Sequence, residues 1–218
     1  MLSSDNPAAG ADKLTAAGRT RKRLTRQERA PDARGQLFAA AAKVVGEHGY
    51  AAASITRITE EAGMAQGTFY LYFASRQSLF DELLPHVGKD MLHFVGTRVA
   101  GTQNILEMEE RGFRAFFEFL GSNPGFFRIL NEAEVAAPKA HEEHFRRTVS
   151  HFVQAIEAAM KAGQIRHFKR GEVETLVYVL MAARSYLYMR YVKGQGAGAR
   201  LPEKVIQTYM RLVRSGLN

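Results

Sequence analysis

The sequence predicts an all-α fold of about nine helices. Along most of the 218-residue chain, apolar residues recur three and four positions apart, which is the spacing of one helix face. No segment alternates apolar and polar residues convincingly, so no strand is predicted. Glycine and proline fall between the periodic segments, where helices must end. Apolar residues make up 46% of the chain, which is enough to form a substantial core.

The first two helices have readable ends. The first is predicted to begin at Asp32 and to end at Gly49, a residue suited to a helix C-terminal cap. Its apolar face is made of Leu37, Phe38, Ala41, Val44, Val45 and His48. Ser54 is a good N-cap for a short second helix, which Gly63 stops.

A third short helix is predicted over residues 65–72, and Ser75 caps a fourth helix. Pro85 falls inside the fourth helix, where its missing N–H and its ring predict a kink. The remaining helices are predicted at residues 103–121, 123–136, 139–163, 171–193 and 202–216.

Composition excludes several kinds of protein. The chain has no cysteine, which rules out disulfides and cysteine-based metal or nucleophile sites. No secretory signal is visible, and the most apolar stretch, 173–192, is interrupted by Glu174, Arg184 and Arg190, which favours a buried helix over a membrane span. No serine nucleophile motif, phosphate loop or paired acid/base set is present. We therefore expect a cytoplasmic protein with no catalytic residues and no cofactor.

Two short helices joined by a glycine turn have the geometry of a helix-turn-helix. The second of them holds Gln66, Thr68, Tyr70 and Tyr72, more polar and aromatic groups than a buried helix needs. Hydroxyls can bond phosphate oxygens, ring faces can contact thymine methyls, and an amide can read adenine. This composition favours a helix that lies in a DNA major groove. The alternative for the tyrosines is a half-buried aromatic pair.

The same region resembles a known family. The matching segments are residues 35–50, 54–58, 61–73 and 78–80, and the most specific part is Gly67-Thr68-Phe69-Tyr70 followed by Tyr72-Phe73. These residues resemble the DNA-binding domain of the tetracycline-repressor (TetR) family. The resemblance implies an N-terminal three-helix helix-turn-helix domain, residues 32–78, followed by a C-terminal helical ligand-binding and dimerisation domain, residues 79–218.

The resemblance also implies which residues meet DNA. They are Ser54, Thr56, Gln66, Gly67, Thr68, Tyr70, Tyr72 and Arg76, while Phe69 and Phe73 match core positions. Two departures stand out. Ala65 replaces a capping serine or threonine, a loss of about 1 kcal/mol. The family often has arginine at the position of Thr56 and an acid at that of Arg57, so the positive charge has moved by one residue.

The chain has a formal net charge of +8, which indicates an anionic partner such as nucleic acid. Seven basic residues lie between Arg19 and Arg34. We expect residues 1–31 to be a disordered basic arm, in which Arg21, Arg23 and Arg26 are candidates to enter a minor groove or follow phosphates. The alternative is a solvated tail.

Two features of the second domain suggest a ligand. Residues 113–127 hold an unusual density of phenylalanine, which predicts either ordinary core or an apolar cavity. Arg184 lies in the middle of an apolar helix and needs an anionic partner there. That partner is either Glu132, Glu134 or Glu118, or the carboxylate or phosphate of a ligand. The candidate ligand-binding residues are Phe113, Phe117, Phe127, Tyr178, Met181, Arg184, Ser185 and Tyr188.

Other polar clusters favour ordinary surface. His141, His144 and His151 share a helix, but charged residues lie between them, which indicates a solvated face and no metal site. The acidic run of residues 107–110 is also expected on the surface. A membrane-surface protein would need a basic amphipathic helix with a broad apolar face, and none is evident.

The resemblance therefore implies a homodimeric repressor that binds a pseudo-palindromic operator in double-stranded DNA, and the phenylalanine-rich domain favours release by a small apolar or aromatic effector. The resemblance implies that the last two helices form the dimer interface, and their apolar faces agree with this expectation. The alternatives are a DNA-binding regulator without an effector, or an activator.

Overall fold

The computed structural model describes residues 26–217, with side chains from Ala33 onward. These residues form nine α-helices, one 3₁₀ turn at Arg170–Glu172 and no strand, which confirms the all-α prediction. The helices are α1 (Arg26–His48), α2 (Ile55–Glu61), α3 (Gln66–Phe69), α4 (Arg76–Val99), α5 (Ile105–Ser122), α6 (Phe126–Ala136), α7 (Pro138–Lys161), α8 (Val173–Tyr191) and α9 (Glu203–Leu217). Within residues 26–217, no helix combines the length and apolarity needed to cross a membrane.

Helix α1 begins earlier than predicted. It starts at Arg26, six residues before Asp32, so residues 26–31 are helical and are not part of a disordered arm. The reason is that Arg, Gln, Glu and Ala at residues 26–30 are strong helix formers, and they continue the helix across Pro31. Arg26 is the first residue of α1. The predictions for Arg21 and Arg23 lie outside the described residues.

The predicted caps are present. Gly49 has φ +81°, and its N–H donates to the Val45 carbonyl at 2.8 Å, which ends α1. The Ser54 hydroxyl accepts from the Arg57 N–H at the start of α2. Ser75 and Ser78 form a reciprocal capping box at the start of α4. Helix α4 then runs without a break through Pro85.

Two apolar cores divide the molecule. The first joins α1, α2, α3 and the start of α4 up to Leu84, and it includes Ile129 and Ala133 of α6. The second joins the rest of α4, from Met91, to α5–α9. Helix α4 belongs to both cores, so it connects the helix-turn-helix region to the larger domain.

Candidate nucleic-acid interface and effector domain

Helix α3 presents polar and aromatic groups on a fixed apolar base. Phe69 is fully buried, and its ring centroid lies 5.5 Å from that of Phe73, which in turn contacts Phe38 of α1 at 5.3 Å. On the outer side, Tyr70 is 57% exposed. Buried anchors thus determine the orientation of the exposed side chains, as direct base recognition requires.

The other predicted contact residues lie around Tyr70. Gln66 and Gly67 are exposed, and Thr68 is half-buried. Tyr72 is also half-buried and packs against the first core, so the alternative of a half-buried aromatic applies to Tyr72 and not to Tyr70. Leu71 is 68% exposed, and sequence reasoning missed it. The sequence signal for its exposure was its position next to Tyr70, since Leu71 is not one of the two core positions, Phe69 and Phe73.

A side-chain hydrogen bond connects α2 to α3. The Gln66 amide donates to the Thr56 hydroxyl at 2.6 Å, and both residues are exposed. Arg57 instead turns back, donating to the Ala52 carbonyl at 3.2 Å. The charge that moved from position 56 to position 57 is therefore directed towards the preceding turn. At the start of α3, Ala65 makes no side-chain cap, as the sequence implies.

The start of α4 is suited to a phosphate. Arg76 is the first residue of this helix and is exposed, with its guanidinium 5.4 Å from the centre of the Phe80 ring. The N-terminal end of a helix carries partial positive charge and free N–H groups, which favour an anion. Ser54 is half-buried at the corresponding end of α2, where it acts as the cap.

The fold and this surface define a helix-turn-helix DNA-binding protein with a larger second helical domain. Residues 37–83 match the model of bacterial regulatory proteins of the tetR family. The helix-turn-helix of this chain therefore matches that of TetR-family transcription regulators.

Solved structures share the fold at low sequence identity. A TetR-family regulator from Marinobacter aquaeolei VT8 has a TM-score of 0.69 at 18% identity, covering 88% of this chain and 98% of its own. FadR from Bacillus subtilis, solved in complex with stearoyl-CoA, has a TM-score of 0.69 at 16% identity, covering 84% and 99%. The ketosteroid regulator KstR2 of Mycobacterium tuberculosis has a TM-score of 0.61 at 24% identity, covering 85% and 94%.

In the second domain, Arg184 is buried and paired within the chain. Its guanidinium donates to the Glu109 carboxylate at 2.7 Å and to the Tyr209 hydroxyl at 3.2 Å, and Tyr209 also donates to Glu109. Burial alone would lower the pKa of Arg184, but the Glu109 carboxylate and the Tyr209 hydroxyl raise it. Burial raises the pKa of Tyr209. Arg184 therefore remains charged with its anionic partner already in place.

The predicted partners of Arg184 were wrong. Glu132 pairs with Arg128 and Glu118 with Arg98, and Glu134 is exposed. The true partner, Glu109, is only 5% exposed, so the expectation that the acidic run is all surface was also wrong. Glu109 lies four and eight residues before the buried Phe113 and Phe117, on the inner face of α5.

The candidate ligand residues do not form one wall. The Phe113 ring stacks on Tyr209 at 4.0 Å, and the Phe127 ring stacks on Tyr188 at 4.0 Å, while Phe117 is buried beside Phe113. Ser185 is half-buried and donates to the carbonyl of the half-buried Met181. Tyr178 is 48% exposed and lines a surface groove between α7 and α8. The phenylalanines thus contribute chiefly to the core.

The three histidines of α7 do not share a solvated face. His144 is buried, and a Cβ added to Gly88 of α4 would lie 2.2 Å from its ring. Burial lowers the pKa of His144 to about 4, and the nearby His141 and Arg147 add to this effect. His151 is exposed. Among the described residues, no group of three metal-ligating side chains is close enough to hold an ion.

Helix α6 holds the end of α1 through polar contacts. The Arg128 guanidinium donates to the Glu47 carbonyl at 2.7 Å and to the Glu132 carboxylate at 2.6 Å. Glu132 also accepts from the Tyr50 N–H at 2.9 Å. These contacts connect the larger domain directly to the chain segment that enters the helix-turn-helix.

Proposed function

We propose that this regulator is a dimeric repressor that binds a pseudo-palindromic operator through α3 and is released by a small apolar or aromatic effector. The DNA-binding part of the proposal rests on one observation. The side chains of α3 and of the residue after it are divided between a buried side and an exposed side. Phe69 is buried, while Tyr70 and Gln66 are exposed and Gln66 bonds to Thr56 of α2. These groups offer the hydroxyl, amide and ring faces that base edges and phosphates accept.

Dimerisation is supported by the surface of α8 and α9. Tyr178, Val179, Tyr186 and Met189 on α8 and Leu212 on α9 are exposed apolar or aromatic residues. The four residues of α8 lie on one face of that helix by their spacing, and exposed apolar residues grouped in this way indicate a protein interface. The helix-turn-helix regions of two copies related by a two-fold axis then bind half-sites about 34–36 Å apart, or a multiple of that distance.

Control by an effector is supported by the connections between the domains. Helix α4 runs through both cores, and α6 holds the end of α1 through Arg128 and Glu132. A ligand that prefers one arrangement of these helices changes DNA affinity by its differential affinity for the two states.

The DNA-binding test is fluorescence anisotropy on a duplex from the DNA flanking the chain's own gene, beside a scrambled duplex, at two salt concentrations. We expect tight binding to the native duplex alone. The variant Tyr70→Ala should weaken this binding about five- to 150-fold, which corresponds to about 1–3 kcal/mol. Gln195→Ala, which removes an exposed amide in the loop after α8, should leave it unchanged. Equal, strongly salt-sensitive binding to both duplexes would contradict operator recognition.

The effector test adds compounds to the native complex. Stearoyl-CoA is a first choice because it is the ligand in the Bacillus subtilis FadR structure, and small neutral aromatic compounds are a second. An effector should lower operator affinity by about five- to 150-fold. A protein that binds the operator but responds to no compound would favour a regulator without an effector. A reporter gene whose expression falls on deletion of the regulator would indicate an activator.

A further inference from the structure

A cleft of about 530 Å³ lies between the two domains. Its walls come from α1, the middle of α4 and the turn that joins α5 to α6. Phe38, Val87, Phe119, Phe126 and Ile129 make the lining largely apolar. Both the volume and the apolar character are typical of sites for small molecules. The cleft is separate from the residues around Arg184.

Glycines shape this cleft. A Cβ on Gly46 of α1 would lie 2.6 Å from the Cα of Gly125, so the two backbones touch at the base of the cleft. A Cβ on Gly35, one of the residues lining the cleft, would meet no heavy atom within 4 Å. On the wall formed by α1 and α4, the rings of Phe38 and His86 stack at 4.2 Å with an angle of 13° between their planes. The result is an open space with an aromatic wall.

The charged residues that line the cleft include one carboxylate without a partner among the described residues. Lys43 is neutralised by Glu61, with their charged atoms 2.7 Å apart, and Glu47 lies beside Lys43 and His48. Asp90 of α4 also lines the cleft and has no ion pair or hydrogen bond to any residue from 33 to 217. Asp90 is exposed, so its carboxylate is a solvent-accessible negative charge among the residues that line the cleft.

We propose that this cleft binds a small molecule with an aromatic body and one cationic group, with Asp90 as the counter-ion. The aromatic body lies between the Phe38–His86 wall and the rings of Phe119 and Phe126. The bound molecule contacts α1, α4 and α6 at once, next to the backbone contact of Gly46 with Gly125. The assignment of this ligand as an effector rests on the proposed function, whereas its binding does not.

The probe is 1-pyrenemethylamine, whose fluorescence anisotropy reports binding to the full chain without DNA. Matched probes are the neutral 1-pyrenemethanol and the anionic 1-pyreneacetate. We expect the amine to bind about two- to fivefold more tightly than the alcohol, because a partly exposed ion pair has a modest effect, and the acid to bind most weakly. Asp90→Asn should reduce the affinity for the amine to that for the alcohol. Glu134→Gln, which removes an exposed carboxylate on α6 outside the cleft, should change neither affinity.

A second variant tests the location. Ala39→Phe fills the cleft from an exposed position of α1, so the fold should tolerate it, and it should weaken all three probes at least tenfold. Ala158→Phe makes the same change at an exposed position of α7 and should have no effect. Equal affinities for amine and alcohol, or unchanged binding to Ala39→Phe, would overturn the proposal. The operator assay with Tyr70→Ala tests the proposed DNA-binding function separately. A failure of that function can therefore be distinguished from a failure of the cleft to bind the amine.

Discussion

At the level of single residues, the buried pair of Glu109 and Arg184 connects three helices of the larger domain. Glu109 belongs to α5, Arg184 to α8, and Tyr209 of α9 bonds to both. The guanidinium also lies 5.3 Å from the centre of the Phe113 ring. Removing one member leaves the other charge buried without a partner, which costs far more than an exposed pair would contribute.

We therefore predict that Arg184→Met destabilises the protein by about 3–5 kcal/mol, since Glu109 is left unpaired. Tyr209→Phe should cost less, about 1.5–3 kcal/mol, because it removes the hydroxyl that bonds to both charged groups but leaves the ion pair of Glu109 and Arg184 in place. Urea unfolding followed by circular dichroism measures both. The double variant Glu109→Leu with Arg184→Met should recover much of the lost stability. A ligand anchor would behave otherwise, because Arg184→Met would then fold with unchanged stability.

His144 gives a second residue-level prediction. Its pKa is about 4 in the folded protein, against about 6.5 when it is exposed on unfolding. Between these values the unfolded chain binds a proton that the folded chain does not, so stability is lost as pH falls from about 6.5 towards 4. Between pH 7.5 and 5 we expect His144→Gln to lose less stability than the wild type. The control His151→Gln, at an exposed position, should lose as much as the wild type does.

The residue-level roles were only partly readable from sequence. A mid-helix arginine predicts a buried anion, but it does not say which of several glutamates supplies it. Glu109 is 75 residues away from Arg184 in sequence. Because its neighbours are also acidic, the sequence does not show that Glu109 lies on the inner face of α5. By contrast, Phe69 and Phe73 could be assigned to the core because their motif is specific, and both are buried.

At the level of elements, the backbone contact between α1 and α6 determines how the two domains meet. Gly46 and Gly125 approach so closely that neither position has room for a Cβ. Beside them, Arg128 and Glu132 of α6 bond to the carbonyl of Glu47 and the N–H of Tyr50. A displacement of α6 must therefore move α1 or break these contacts.

We predict that Gly125→Ala destabilises the protein by about 1–3 kcal/mol, because a Cβ there would lie 2.7 Å from the Cα of Gly46. The backbone itself permits alanine, since φ is −76°. Thermal unfolding measures the loss, and operator affinity should change although the residue is far from α3. Gly171→Ala, where a Cβ would meet nothing within 4 Å, should leave both quantities unchanged. An unchanged melting temperature for Gly125→Ala would contradict the role of this contact.

Helix ends were predictable where their chemistry is local. Ser54, Ser75 and Gly49 act as the sequence predicts, because capping depends on the residue and its near neighbours. The start of α1 could not be predicted from Pro31. The helix propensity of residues 26–30 outweighed the unfavourable proline at position 31. The contact of Gly46 with Gly125 joins residues far apart in sequence, and no local pattern indicates it.

At the level of the whole molecule, recognition of a palindrome requires two heads, and α8 offers the surface for a second copy. Val177, Leu180 and Tyr188 are buried in the core, while Tyr178, Val179, Tyr186 and Met189 are exposed. Both sides of the helix are thus apolar or aromatic, as expected for a helix buried on both sides in an assembly. Leu212 of α9 is also exposed, at 72%.

We predict that Tyr186→Arg combined with Leu212→Arg converts the protein from dimer to monomer, because each arginine would have to be buried without a partner in the interface. Sedimentation equilibrium should give twice the chain mass for the wild type and the single chain mass for the variant. Operator affinity should fall at least tenfold, since the second head no longer benefits from a high effective concentration, while affinity for an isolated half-site should remain the same. Val135→Arg places the same charge on an apolar residue of α6 that is 89% exposed, and it should remain dimeric. A wild-type monomer at micromolar concentration, or a variant that stays dimeric, would exclude this face as the interface.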